Sequence, residues 1–207
     1  MDLDVHTFKS DQLKDLFDSC IKKFEQSPVC YLPPSESFLG TGVYGLYYTG
    51  NYELYSTFSP INKPQCQLPI YVGKAVPSGW RQARTSSEQI ENKLYHRLGE
   101  HSRSIECTSL SLDDFRCRFL ILNGDEANLI GAIESSLIRK FTPLWNSIID
   151  GFGNHDPGSG RYNQSISEWD SLHAGRQWAT RLKGVPPDTQ GVKDQVCSYF
   201  EKLTLDQ

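Results

Sequence analysis

The chain has 207 residues, 38% hydrophobic and 22% charged, with a formal net charge of −4. That is enough for one sizeable core and ordinary for a globular protein, so a single domain with appendages is expected. No apolar run nears the roughly 20 residues of a membrane span, and the acidic start Met1-Asp2-Leu3-Asp4 lacks the order of a signal peptide; a cytoplasmic protein without a membrane partner is expected.

The six cysteines (Cys20, Cys30, Cys66, Cys107, Cys117 and Cys197) include no Cys-x-x-Cys pair, which argues against structural zinc and for free thiols. The negative charge argues mildly against nucleic acid, although phosphate is contacted by a local patch and not by net charge.

Residues 11–25 place Leu13, Leu16, Phe17, Cys20, Ile21 and Phe24 at helical spacing, which predicts a packed amphipathic helix. Pro33, Pro34 and Ser35 break the chain after it. Two segments rich in β-branched and aromatic residues follow, Thr41 to Gly50 and Leu68 to Ala75. They predict an antiparallel hairpin with a long polar connection. Tyrosine is a common strand residue, so Tyr44 and Tyr71 alone say only that strands are present.

Between Lys74 and Arg103 there are six Lys/Arg against three Glu, a basic stretch in an acidic protein. Residues 88–102 read as a helix with Ile90, Leu94 and Leu98 buried, and Arg97 and His101, four apart, share one face. Arg116 to Leu122 reads as a buried third strand. A helix from about Glu126 to Phe141 follows, with Glu134 beside its apolar stripe; Thr142-Pro143 ends it, ahead of Asn146. Gly151 to Arg161 is a glycine-rich loop without the Gly-Lys-Ser/Thr ending of a P-loop. Residues 165–184 mix basic and aromatic side chains, and the tail from Asp188 reads as a short polar helix at most.

Taken together, Gly42-Val43-Tyr44, Tyr71-Val72-Gly73-Lys74, Arg97 with His101, Glu134 and Asn146 resemble, in this order, the GIY-YIG nuclease superfamily. The helix Leu94 to His101 and the loop Gly151 to Arg161 look like its small type II restriction endonucleases that cut CCGCGG. The 26 residues between Tyr44 and Tyr71 (45–70) exceed the superfamily's usual spacing, as in that restriction branch. The resemblance implies an α/β fold: a small, mostly antiparallel sheet flanked by helices, with an N-terminal helix and a C-terminal extension. The expected parts are a helical arm (1–35), a catalytic core (36–150) with a DNA-contacting insertion around 49–67, and a DNA-recognition extension (151–207) packed on the core.

It also implies a site of Tyr44, Tyr71, Lys74, Arg97, His101, Glu134 and Asn146. Glu134, the one carboxylate of the set, implies a single Mg²⁺ for which Mn²⁺ substitutes. Arg97 would neutralise the phosphate. Tyr44 would act as general base, helped by a cation or by His101 accepting its proton, or alternatively as a covalent nucleophile. Tyr71 would orient water or phosphate, with Lys74 as a nearby charge, and Asn146 would position the metal carboxylate or a backbone phosphate.

Double-stranded DNA is the implied substrate, with Arg81, Arg84, Asn154, His155, Arg161, Arg176, Arg181 and Lys183 as candidate contacts. A palindromic target implies a homodimer, and a bacterial host implies a cognate DNA methyltransferase. Two other readings stay open: a repair-type or homing-type nicking nuclease of the same superfamily, and a catalytically silent nucleic-acid-binding module. A Cys/His hydrolase lacks a nucleophile motif.

Overall fold

The computed structural model describes residues 1–80 and 91–205. Arg81, Arg84 and the start of the expected 88–102 helix lie outside the described residues. Four strands, β1 (Cys30–Tyr31), β2 (Gly42–Tyr48), β3 (Tyr71–Ala75) and β4 (Phe115–Ile121), form one sheet of order β1-β4-β2-β3, every pair antiparallel. The helices described are α1 (Asp11–Gln26), α2 (Phe58–Gln65), α3 (Lys93–Glu106), α4 (Ile130–Phe141), α5 (Leu144–Ser147), α6 (Glu168–Leu172) and α7 (Thr189–Leu205). The α/β class and the predicted hairpin are both present, with Tyr44 opposite Gly73 in the β2–β3 register. The strand predicted as third is fourth in the chain, because two-residue β1 also joins the sheet.

β2 is buried along its whole length, so its alternating side chains feed two cores. Val43 packs with Val72, Ile21 and Phe24 of α1, and Ile130, Ile133 and Leu137 of α4. On the other face Tyr44, Leu46 and Tyr48 pack with Leu94, Leu98 and Ile105 of α3 and with Trp145, Phe152 and Trp169. Fully burying each such side chain stabilises the fold by about 1.5–3 kcal/mol.

Several elements differ from expectation for identifiable reasons. In α1 only Ile21 and Phe24 are buried, with Phe17 and Cys20 packed beside them, while Leu13 and Leu16 of the first turns remain 43% and 41% exposed. α3 starts at Lys93, since the Leu94 N–H goes to Gly40 O, and runs on to Glu106 because Ile105 continues the apolar stripe.

The insertion expected as a polar, DNA-contacting loop is substantially core. Tyr55 and Phe58 are wholly buried there. Buried Asn62 donates to Tyr48 O and Leu68 O and accepts from Leu68 N–H, which pins α2 to the sheet. The polar tail from Asp188 is instead a 17-residue helix, α7, whose Val192 and Val196 join the core.

Candidate active site

β3 is an edge strand, and around its free side the two faces of the sheet come together. From one face come Tyr44 of β2 and Arg97 and His101 of α3; from the other come Lys74 of β3 and Glu134 of α4. Tyr44, Tyr71, Lys74, Arg97 and Glu134 line one cleft of about 640 Å³, joined by Lys93, His96, Glu100 and His155. No residue of 49–67 lines it.

Gly73 matters sterically: a Cβ there would collide with the Tyr44 hydroxyl lying across it. That hydroxyl is 2.6 Å from His101 Nε2. His101 sits on the buried stripe of α3 and stacks on Phe152, ring centroids 4.6 Å apart. Burial, and then the Arg97 charge, holds the His101 imidazole well below its ordinary range, so it is neutral. Burial also pushes the Tyr44 phenol well above 10, with Tyr71 adding to the rise and Arg97 opposing it. Two neutral groups therefore share a short hydrogen bond, in which Tyr44 donates when the imidazole proton is on Nδ1. The Tyr71 phenol is likewise raised by burial.

Arg97 is held by three partners. Its Nη1 pairs with Glu100 Oε2 at 2.7 Å and with His155 Nε2 at 2.5 Å, and its Nη2 donates to Gly153 O at 2.9 Å. The Glu100 pairing spans i to i+3 and is legible in sequence. The Gly153 and His155 contacts, 56 and 58 positions away, carry no sequence signal beyond the glycine-rich loop.

On the other face, Glu134 Oε2 accepts from Lys74 Nζ at 2.5 Å, with side chains 16% and 36% exposed. Among the described residues nothing hydrogen-bonds Glu134 Oε1. No cluster of three or more His, Cys, Asp or Glu forms a metal cage among the described residues. A lone carboxylate with one free oxygen suits a hard cation that keeps most of its shell for waters and substrate; it does not suit a closed zinc site.

Asn146 does not reach the cleft lining. Its Oδ1 accepts from Val72 N–H at 2.8 Å and its Nδ2 donates to Val72 O at 2.9 Å. The expectation that it orients the metal carboxylate or a phosphate is thereby corrected. Its amide imitates a neighbouring strand, covers the free edge of β3, and so fixes the strand that carries Tyr71 and Lys74.

Arg176 is a second correction. It is 4% exposed and bonds Asp170 through Nε and Nη2, at 2.5 and 2.6 Å. It also donates to the carbonyls of Gly151, Phe152 and Asn154. All five N–H groups are thus engaged inside the protein, and the side chain clamps the 151–154 loop instead of meeting DNA. Arg161, Arg181 and Lys183 are exposed, as are Asn154 and His155. Asn154, His155 and Arg161 line a polar cleft of about 420 Å³ that meets the first at His155.

A family model described as the Eco29kI GIY-YIG domain matches residues 36–200. No curated protein matches the chain.

Proposed function

The chain belongs to the Eco29kI GIY-YIG family of restriction endonuclease domains and is a nuclease acting on DNA; from that premise we propose a type II restriction endonuclease. It would hydrolyse phosphodiester bonds in double-stranded DNA at a short palindrome, CCGCGG, and act as a cytoplasmic homodimer alongside a cognate methyltransferase. The observation that supports this reading most directly is the convergence of Tyr44, Tyr71, Lys74, Arg97 and Glu134 on one cleft at the sheet edge.

Nucleases of this family typically use a divalent metal. Glu134 would hold a single Mg²⁺, for which Mn²⁺ substitutes. When bound, the ion supplies Lewis-acid stabilisation of the phosphate and leaving oxygen. The chain's own groups do the rest. Arg97 binds the scissile phosphate and neutralises charge that develops on it. Tyr44 accepts a proton from the attacking water while passing its own phenolic proton to His101 Nε2, so no free phenolate is needed. Tyr71 orients the water beside it, and Lys74, displaced from Glu134, becomes a second cation for the phosphate. Asn146 keeps β3 in place throughout.

Arg161, Arg181, Lys183 and Asn154, exposed on the C-terminal segment, are the proposed contacts to DNA; guanine edges suit the arginines. Arg81 and Arg84 are proposed beside them from sequence alone. The test is digestion of a DNA of mixed sequence with Mg²⁺ followed by sequencing of the ends. One recurrent palindrome at every end supports the restriction reading, whereas scattered nicks would replace it with a repair-type nuclease.

A further inference from the structure

The cleft contains a histidine that the motif residues do not account for. His155 comes from the segment after Phe152, more than 50 positions from Arg97, yet its Nε2 lies 2.5 Å from Arg97 Nη1. At that distance one nitrogen must donate and the other accept. Guanidinium only donates, so His155 Nε2 carries a lone pair and the ring is neutral. The approach is built, not incidental. The Arg176–Asp170 pair holds the carbonyls of Gly151, Phe152 and Asn154, and the intervening Gly153 turns its own carbonyl to Arg97 Nη2. A side chain at Gly153 would run into the Tyr71 hydroxyl, so the loop fits closely over the site.

An arginine assigned to the scissile phosphate is therefore occupied by protein acceptors until DNA arrives. We propose that His155 is a further substrate-binding residue: DNA displaces its Nε2 from Arg97, and the released imidazole takes up one proton from solvent and donates to the same phosphate. The exchange turns an acceptor for Arg97 into a second cation beside it. Proton and charge balance are simple, one proton taken up per site as one phosphate enters. This inference rests on the nuclease reading and adds to it a residue, a proton and a resting state.

The groups facing His155 set the sign. Arg97 and Glu100 act on it from α3 and Arg176 from the following segment, while His96 lies in the same cleft and Lys74 and Glu134 line its far side. Burial and Arg97 both lower its affinity for protons in the free protein. The negative charge of a bound phosphodiester reverses that balance.

The test measures binding of a duplex that the protein cleaves, in EDTA, from pH 6 to pH 8. Wild type should bind more weakly as pH rises, with Kd increasing up to tenfold per unit where one proton is linked. In His155→Gln the slope should vanish and Kd should stay near the wild-type value at pH 8. The residue is exposed, so the variant keeps its core, and an unchanged thermal midpoint verifies this. A slope that persists in His155→Gln, or that disappears in His96→Gln instead, overturns the proposal. A wild-type chain that neither binds nor cuts any DNA refutes the nuclease reading itself, and this inference with it.

Discussion

At the scale of single residues, burial keeps the paired groups of the cleft neutral. Burial raises the Tyr44 phenol and lowers the His101 imidazole, so the 2.6 Å contact between them is a hydrogen bond between neutral groups and not an ion pair, and in the proposed mechanism it serves as a proton relay. Tyr44→Phe should lower the cleavage rate by about 10²-fold or more while leaving a folded protein, measured by single-turnover kinetics. It would also orphan the buried His101 Nε2, at a cost of about 1–3 kcal/mol in urea unfolding. Because His101 is neutral well below pH 6.5, the rate should show no loss from its protonation between pH 8 and pH 6.5. Tyr44, Arg97 and Glu134 were legible from their order in the chain. Two of the three partners of Arg97 were not, since Gly153 and His155 reach it only through a loop held by Arg176. That arginine illustrates the limit: in sequence a basic residue among aromatics looks like a DNA contact, and only Asp170 and three carbonyls show otherwise.

At the scale of elements, packing overrode polarity. The stretch between the tyrosine strands carries Asn51, Asn62, Lys63 and Pro64 and was expected to contact DNA, yet Tyr55, Phe58 and Asn62 turn inward. Asn62→Ala would leave the half-buried Leu68 N–H and the carbonyls of Tyr48 and Leu68 short of a partner. It should destabilise the protein by about 2 kcal/mol in urea unfolding without changing the metal dependence of cleavage. The length and buried face of α7 were missed because its apolar positions, Val192, Val196, Tyr199 and Phe200, are sparse and separated by polar residues; only the spacing of Val192 and Val196 betrays a buried face. The hairpin was legible because β-branched residues and terminal glycines agree. That Asn146 lies beside β3 and bonds Val72 was not legible, since backbone acceptors and donors are invisible in sequence.

At the scale of the whole molecule, the C-terminal segment shares its core with the tyrosine strands through Phe152 and Trp169, and it carries two buried histidines' worth of pH sensitivity with α3. His173 donates or accepts with Tyr55 at 2.5 Å, and burial pushes its pKa down to about 4. His101 shifts in the same direction. The unfolded chain therefore binds more protons below about pH 6.5. Stability should be full above that pH and fall as pH drops toward 4, by about 3 kcal/mol from His173 alone, seen in urea midpoints taken across the window.

The activity proposed for this cleft is hydrolysis of DNA with a metal at Glu134. The most direct measurement is digestion of a supercoiled plasmid by wild type with Mg²⁺, by wild type with EDTA, and by Glu134→Ala with Mg²⁺. Discrete fragments from the first alone, with the variant folded and slowed by 10²-fold or more, are the predicted result. Equal cleavage by Glu134→Ala, or fragments that persist in EDTA, would contradict it.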